Sequence, residues 1–239
     1  SVTRHYYYKS DEQTISYTLP GGTLFRGQFT FDTNQFSARL RIPNDFSYST
    51  DPGKISMYIA TNDDPPLEAL GYYDNVLIRG GDIAQDNEGP IIKFYNEDYL
   101  PLYSGDHIPS NSPLLIQLTD PLGINVTGQI GHEIIVTDNT TGKETNITDR
   151  FIYNPNSITT GTISYRPEQT SEEIQLLVKA WDSANNPSET AIILELVEEK
   201  DLSLYQIYNY PNPFATDTQF TFEITASAEV GIKIFTLNG

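Results

Sequence analysis

Two short stretches of the chain carry a high density of oxygen-bearing side chains. The first is Asp86-Asn87-Glu88 and the second is Asp182-Ser183-Ala184-Asn185-Asn186-Pro187. Calcium takes roughly six to eight oxygen ligands from carboxylates, amides and carbonyls, and both stretches supply such groups. The sequence therefore indicates Ca²⁺ as the one candidate cofactor. The candidate metal ligands are Asp86, Asn87, Glu88, Asp182 and Asn185.

A purely structural interpretation of the same residues is also open. Residues 182–187 join two predicted antiparallel strands, and Asp and Asn side chains build tight turns by bonding nearby backbone N–H groups. The acidic run at 86–88 belongs to a polar, glycine-bearing stretch, 82–90, which is typical of a domain boundary. The structural turn is the favoured interpretation, and cation binding is the more specific hypothesis.

Catalytic chemistry finds little support in the sequence. The chain has no cysteine, which excludes a thiol nucleophile, a zinc thiolate site and disulfides. His5, His107 and His132 are far apart, and none has an adjacent nucleophile or ligand pattern. No G-x-S-x-G or H-E-x-x-H motif occurs. We predict no catalytic residues and expect that this chain is not an enzyme.

Tyrosines offer a different kind of site. Tyr72 and Tyr73, like Tyr6-Tyr7-Tyr8, could stack against a sugar. Neighbouring residues of a strand point to opposite faces, so only alternate tyrosines can share one surface. Packing in the core and at its rim is the favoured interpretation, and Tyr72 and Tyr73 remain candidate ligand-binding residues.

Charge narrows the range of partners. The 239 residues have a formal net charge of −18. Such a surface repels phosphate backbones, so we expect no nucleic-acid partner.

No apolar run reaches the roughly 18 residues that a membrane helix needs. No signal peptide is evident, and the opening Ser1-Val2-Thr3 suggests a fragment of a longer protein.

The elements that would position these residues are strands. Alternating apolar and polar residues recur, for example at 14–19 and 36–42, and no segment has a convincing helical period. We predict an all-β fold of tandem β-sandwiches. The first would span residues 1–85 and include strands at 24–31 and 36–42. The second, over residues 90–200, would be immunoglobulin-like because turn signals recur about every ten residues. Trp181 is expected to pack at one end of its core.

The tail, residues 202–239, is predicted to be an incomplete third β module. It contains Tyr210-Pro211-Asn212-Pro213-Phe214, in which two prolines enforce an extended, stiff arm. Two strands, 219–225 and 230–237, would then pair through a connection at 226–229. An acidic hinge at 198–201 separates this module from the sandwich.

The tail resembles the start of the type A C-terminal sorting module of the type IX, or Por, secretion system. The resemblance lies in Tyr210-Pro211-Asn212-Pro213-Phe214, in the Thr/Phe-rich strand after it, and in Ile234-Phe235-Thr236-Leu237-Asn238-Gly239. It implies that residues 210–214 form the sorting motif and that outer-membrane components of the type IX system are partners. It also implies an extracellular location at the outer-membrane cell surface of a member of the Bacteroidetes.

A second resemblance covers residues 24–197. Short motifs occur in a fixed order: Glu88-Gly89-Pro90, Ser112-Pro113-Leu114-Leu115, Gly123-Ile124-Asn125, Gly131-His132 and Ala180-Trp181-Asp182. In this order the motifs resemble those of the non-catalytic region downstream of the peptidase domain in gingipain-type cysteine peptidases, particularly PorU-type sortases. The family's catalytic Cys and His belong to an upstream domain, so the resemblance does not bring peptidase activity to this chain.

Together the resemblances imply an accessory region that supports an upstream peptidase domain of the same parent chain and carries part of a sorting module. An alternative is a glycan-binding or adhesive β-sandwich appended to a secreted hydrolase, and a third is an inert spacer. A glycan-array signal that Tyr72→Ala abolishes would favour the alternative.

Overall fold

The computed structural model describes residues 2–8, 13–19, 22–33, 35–44, 52–79, 86–168, 172–197, 204–225 and 227–234, with the backbone alone for 2–19. Within these ranges the chain forms fifteen strands, one short 3-10 helix (Thr148–Arg150) and no α-helix. The predicted all-β fold is therefore confirmed. No helix in the described ranges is long and apolar enough to cross a membrane.

Two antiparallel hairpins precede the main body. The first pairs β1 (Val2–Tyr8) with β2 (Gln13–Leu19), and the second pairs β3 (Gly53–Ala60) with β4 (Glu68–Val76). Each hairpin is a two-stranded sheet by itself. We refer to residues 52–79, which contain the second hairpin, as the arm.

The main body is a β-sandwich. One sheet has the order β10-β11-β7-β5 and the other the order β6-β13-β12-β8-β9. The strands of the first sheet are β5 (Ile91–Tyr95), β7 (Leu114–Thr119), β10 (Ile152–Tyr153) and β11 (Thr160–Tyr165). Those of the second are β6 (Asp106–Pro109), β8 (Ile135–Asp138), β9 (Lys143–Asn146), β12 (Glu173–Trp181) and β13 (Pro187–Val197).

Strand order matches the immunoglobulin arrangement. In the first sheet, β5, β7, β11 and β10 lie in the order of the immunoglobulin strands A, B, E and D. In the second sheet, the neighbours β13, β12 and β8 correspond to strands G, F and C. All pairs are antiparallel except β6 with β13, which run parallel. The boundaries predicted at 85, 90 and 200 remain predictions.

Alternation along the strands builds the core. Leu114, Ile116 and Leu118 of β7 are fully buried, as are Ile174 and Val178 of β12. Each such aliphatic side chain stabilises the fold by about 1.5–3 kcal/mol relative to exposure. Trp181 lies at the last position of β12, partly buried, so the tryptophan sits at one end of this core as predicted.

The segment 22–44 differs from the prediction. No strand occurs at 24–31 or 36–42 in the residues that are described, and only Gly27 forms an isolated bridge, to Tyr153. Tyr153 N–H donates to the carbonyl of Arg26 at 2.8 Å, and Asn156 N–H donates to that of Gln28 at 2.8 Å. Residues 25–30 instead extend along the edge of the sandwich, at strand β10 and the loop after it.

The face that residues 36–42 were predicted to bury is open. Phe36 is 48% and Leu40 42% exposed. Alternation indicates only that one face of an extended segment is apolar. No described strand pairs with residues 36–42, so that face is not covered.

The tail also pairs differently. β14 (Leu204–Tyr210) is antiparallel to β15 (Gln219–Ile224), with Tyr210 opposite Gln219. The predicted pairing of 219–225 with 230–237 is therefore wrong as far as it can be followed, because 227–234 contain no strand and 235–239 lie outside the described residues. β14 pairs with β15 because the short proline-rich connection between them reverses the direction of the chain. The predicted hinge at 198–201 lies outside the described residues.

Candidate functional site

Three carboxylates meet at one end of the sandwich. Asp86, Asp120 and Asp182 each offer one oxygen, and these oxygens all lie within 4.8 Å of one another. Asp86 precedes β5, Asp120 directly follows β7 and Asp182 directly follows β12. We call these three residues the aspartate cluster.

Strand pairing explains why residues so distant in sequence converge. β5 and β7 are antiparallel, with Ile91 opposite Thr119, so the start of β5 lies beside the end of β7. An isolated antiparallel bridge between Ile124 and Asp182 then brings the end of β12 to the loop that follows β7. The cluster is thus set by the sandwich and not by any one loop.

Local turns orient two of the side chains. Oδ1 of Asp120 accepts the N–H of Leu122 at 2.7 Å, and Oδ1 of Asp86 accepts the N–H groups of Asn87 at 2.7 Å and Glu88 at 3.1 Å. The loop after Asp120 turns at Gly123, whose φ of +84° favours glycine. These turns supply backbone N–H donors to one oxygen of each of the two carboxylates.

The third aspartate confirms the predicted turn at 182–187. Oδ1 of Asp182 accepts the backbone N–H of Asn186 at 2.6 Å, and Oδ2 accepts its side-chain amide at 2.9 Å. β12 and β13 on either side are antiparallel. The turn interpretation is therefore correct, and the same aspartate also belongs to the cluster.

Burial makes the cluster electrostatically unusual. Asp120 is 2% exposed and Asp182 is fully buried. Desolvation raises the pKa of Asp120 to about 6, against the opposing hydrogen bond from Leu122, and the negative charges of Asp182, Asp86 and Glu88 raise it further. Buried charges in proteins are normally paired or coordinate metals.

No basic side chain balances these carboxylates within the described ranges. The ion pairs there lie elsewhere and join Lys179 to Glu189, Lys143 to Glu168 and His107 to Glu195. Beside the cluster is a cleft of about 290 Å³, lined in part by Asp86, Glu88 and Asp120. The arrangement combines concentrated negative charge, oxygen atoms and room for a small ion.

The predicted metal ligands are only partly brought together. Asp86 and Asp182, predicted as members of separate sites, lie in one cluster, and Glu88 lines the adjoining cleft. Asn185 is directed elsewhere, because its Oδ1 accepts the side-chain amide of Asn125 at 3.1 Å. Asn87 is exposed and is not part of the cluster.

Asp120 was missed by the sequence reasoning. Its sequence signal is an acidic residue directly after an alternating strand and before Pro121, Leu122 and Gly123. Many surface turns share that pattern. Only the pairing of β5 with β7 shows that this turn faces Asp86.

Tyr72 and Tyr73 lie on β4 in the arm and are 67% and 55% exposed. Of the favoured interpretation, packing in the core and at its rim, the core part is wrong for this pair. As neighbours in a strand they point to opposite faces. The ammonium of Lys54 lies 4.5 Å from the ring centroid of Tyr72, so a cation already occupies one side of that ring. Ligand binding by the two tyrosines remains a prediction.

The predicted sorting motif begins at the last residue of β14, Tyr210, and continues into the connection to β15. Tyr210 is 73% and Phe214 54% exposed. The carbonyl of Pro211 accepts the hydroxyl of Thr218 at 2.9 Å and the side-chain amide of Asn209 at 3.3 Å, which closes the loop on itself. The aromatic side chains are thus presented to solvent from a hairpin with its own hydrogen bonds.

Two of the histidines have described side chains, and each has an ordinary partner. Nε2 of His107 lies 2.6 Å from Oε2 of Glu195 on the sandwich surface. The ring of His132 meets Trp181 edge-on, with centroids 4.5 Å apart. Neither contact includes a hydroxyl nucleophile.

These observations define an immunoglobulin-like β-sandwich with an aspartate cluster at one end and an exposed aromatic hairpin after it. No protein-family model matches the chain, and no curated protein matches it. Among solved structures it is similar to dimeric latent PorU from Porphyromonas gingivalis, with 24% identity and a TM-score of 0.44 over 77% of this chain. The match covers 18% of that protein's length.

Proposed function

We propose that this chain is a non-catalytic accessory region of a gingipain-type, PorU-like cell-surface protein. In this role the sandwich supports an upstream peptidase domain of the same parent chain. The tail carries the beginning of a signal for type IX secretion and engages outer-membrane components of that system.

The observation that carries the proposal is the presentation of residues 210–214. The five consecutive residues that resemble the sorting motif lie at the end of β14 and in the exposed loop after it, with Tyr210 at 73% and Phe214 at 54% exposure. Exposed aromatics on a stiff loop suit recognition by another protein, since rigid aromatic anchors lose little entropy on binding.

The sorting role is tested in the full-length protein that carries this chain, expressed in a cell with a working type IX system. Tyr210→Ala combined with Phe214→Ala should lower the fraction at the surface and raise the periplasmic fraction. Tyr103→Ala, a control at a position that is 69% exposed on the sandwich, should leave the distribution unchanged. Surface delivery of the double variant at the wild-type fraction would contradict the proposal.

The non-catalytic role has a separate test. The purified chain is incubated with Arg-, Lys- and sorting-module peptides, and cleavage or transfer products are followed by mass spectrometry. We expect none, because a chain without cysteine lacks the nucleophile of this peptidase class. Turnover that follows the protein peak through repurification would overturn the assignment.

A second candidate function is glycan binding or adhesion, favoured by the exposure of Tyr72 at 67%. Glycan-array binding that is lost in Tyr72→Ala and retained in Tyr103→Ala would support it. Absence of glycan binding in this test would leave the proposed accessory role unaffected.

A further inference from the structure

We propose that part of the segment 22–44 is a docking surface for an acidic segment of another protein, one that carries apolar side chains between its carboxylates. This inference goes beyond the accessory role and does not depend on it. The surface combines apolar side chains with exposed arginines, and its six members are Phe29, Phe31, Phe36, Arg39, Leu40 and Arg41. We call these six residues the aromatic–arginine surface.

The sandwich holds this segment on both sides of the surface. On the first side, the N–H of Asn156 donates to the carbonyl of Gln28 at 2.8 Å, and the N–H of Thr30 donates to Oδ1 of Asn156 at 2.8 Å. On the second side, the N–H of Asn44 donates to the carbonyl of Ser183 at 2.9 Å. A segment that is already anchored in this way loses less conformational entropy on binding than a free loop does.

The aromatic rings of the segment run from the core to the solvent. Phe25 packs against the core, and its ring stacks on that of Phe29 with centroids 5.8 Å apart. Phe36 in turn lies 4.8 Å from Phe29 and 5.8 Å from Phe31, between centroids. The outer rings stay open, with Phe31 at 43% and Phe36 at 48% exposure. The inner rings therefore support an apolar area that is accessible to a partner.

The charge of this part of the chain is opposite in sign to that of the whole. Residues 22–44 contain three arginines and one acidic residue, Asp32, which gives a net charge of +2, whereas the whole chain carries −18. Arg39 and Arg41 are exposed, and neither forms an ion pair with another described residue. Guanidinium groups bind carboxylates through paired hydrogen bonds, so this surface is complementary to an acidic partner.

The residue types favour a polypeptide partner over a carbohydrate. The rings belong to phenylalanines, which lack the hydroxyl or indole N–H that tyrosine and tryptophan offer to polar ligands. The planes of Phe29 and Phe36 are inclined by 46°, and those of Phe31 and Phe36 by 34°, so the rings form no single flat platform. Leu40, which is 42% exposed, adds an aliphatic side chain. Aromatic residues and arginine are also enriched at protein–protein interfaces.

The first test measures binding of a short synthetic peptide in which glutamates alternate with leucines, by fluorescence anisotropy with the purified chain. The net charge of −18 repels such a peptide, so saturable binding requires a local surface of opposite sign. Peptides with glutamine in place of glutamate, or with serine in place of leucine, should each bind about five times more weakly or less. Absence of saturable binding by the first peptide, or equal binding of all three, would overturn the proposal.

Two double variants test the role of the arginines. Arg39→Gln combined with Arg41→Gln should weaken binding of the glutamate–leucine peptide about tenfold or more. Lys93→Gln combined with Arg166→Gln removes the same charge from two exposed positions of the sandwich and should weaken it less than about twofold. An equal loss in the two double variants would show an effect of net charge alone and would overturn the assignment of the arginines.

A pair of single variants tests the role of the rings. Phe36→Ala should weaken binding of the same peptide about fivefold, whereas Tyr103→Ala, at a position of the sandwich that is 69% exposed, should leave it unchanged. Both side chains are largely exposed, so the Tm of each variant should stay within about 3 °C of the wild type, which separates lost binding from lost folding. Wild-type affinity in Phe36→Ala would overturn the assignment of the rings.

Two other occupants are distinguished with the same variants. Sedimentation of the chain over a range of concentrations detects pairing of the surface with a second copy, and titration with polygalacturonate detects an anionic glycan. We expect neither self-association nor polygalacturonate binding that depends on Arg39 and Arg41. Either one, if it is lost in the double variant of these arginines, would assign the surface to that occupant and overturn the choice of an acidic protein segment.

Discussion

The ring of Phe25 stacks on the ring of Tyr153, with centroids 4.8 Å apart and planes inclined by 13°. Tyr153 in turn meets Phe151 edge-on at 4.9 Å, and its hydroxyl accepts the N–H of Ile124 at 2.8 Å. A residue of the early segment thus packs against a side chain of the buried core. Through this contact, the packing of residues 22–30 contributes to the stability of the sandwich.

Phe25→Ala should therefore destabilise the sandwich. Loss of the partly buried ring and of its stacking should lower the free energy of unfolding by about 2 kcal/mol. Phe214→Ala, which removes the same ring from a site that is 54% exposed, should change it by less than about 0.5 kcal/mol. Urea unfolding followed by Trp181 fluorescence measures both. Equal values for the two variants would show that the stack contributes nothing.

The fold was predictable where periodicity and burial coincide. In β7 and β12 alternating residues are buried, as the predicted all-β sandwich requires. Residues 36–42 alternate as clearly but form no strand, because alternation does not specify a pairing partner. The same limit applies to β15, whose partner proved to be β14 and not residues 230–237.

Gly89 supports a second prediction. A Cβ at this position would lie 2.3 Å from the carbonyl oxygen of Pro187, which is a backbone atom and cannot swing aside. Gly89→Ala should therefore displace the linker and lower the free energy of unfolding by about 1–3 kcal/mol.

Gly71→Ala provides the matched control. A Cβ added at Gly71, in β4, would have nothing within 4 Å, so the variant should keep the wild-type Tm. Thermal unfolding measures the two variants side by side. An unchanged Tm for Gly89→Ala would mean that the linker adapts without cost.

The pKa of Asp120 yields a pH prediction for the metal-free chain. It is raised from 3.8 to about 6 in the folded state, so between about pH 4 and 6 the native state binds more protons than the unfolded state. The contribution of Asp120 to the free energy of unfolding is thus largest below pH 4 and falls as pH rises to 6. Asp120→Asn does not titrate and lacks this loss.

The measurement is the Tm of Asp120→Asn minus that of the wild type, in chelator, from pH 4 to 7. The difference should grow with pH and level off above about pH 6. Asp98→Asn should show no such trend. A difference that stays constant over this range would mean that Asp120 is already ionised at pH 4.

The candidate metal site shows what composition can and cannot predict. Oxygen-rich stretches identified Asp86 and Asp182, because turn loops with several acidic and amide groups are visible in sequence. That the two form one site with Asp120 depends on strand register, which no local pattern encodes. Asn185 was a reasonable candidate by type, but its hydrogen bond with Asn125 directs it elsewhere.

The last prediction concerns the tail. One side-chain contact of its described residues with the sandwich is the hydrogen bond from the amide of Asn96 to Oε1 of Glu223, at 2.7 Å. Most of its large apolar residues stay open, with Ile207 at 63%, Phe220 at 43% and Ile234 at 72% exposure. One surface hydrogen bond contributes about 0.5–1.5 kcal/mol. Deleting 202–239 should therefore lower the Tm of the remainder by no more than about 4 °C.

Limited proteolysis of the intact chain provides an independent measure of the same boundary. Residues 214–217 are exposed, so cleavage should fall at 214–218 or at 198–203 and should precede any cleavage within the sandwich. Glu223→Gln keeps the shape of the side chain but weakens its bond to Asn96, and it should speed these cuts without changing where they fall. A large fall in Tm on deletion would instead show that the apolar side chains of β14 and β15 complete the core of the sandwich.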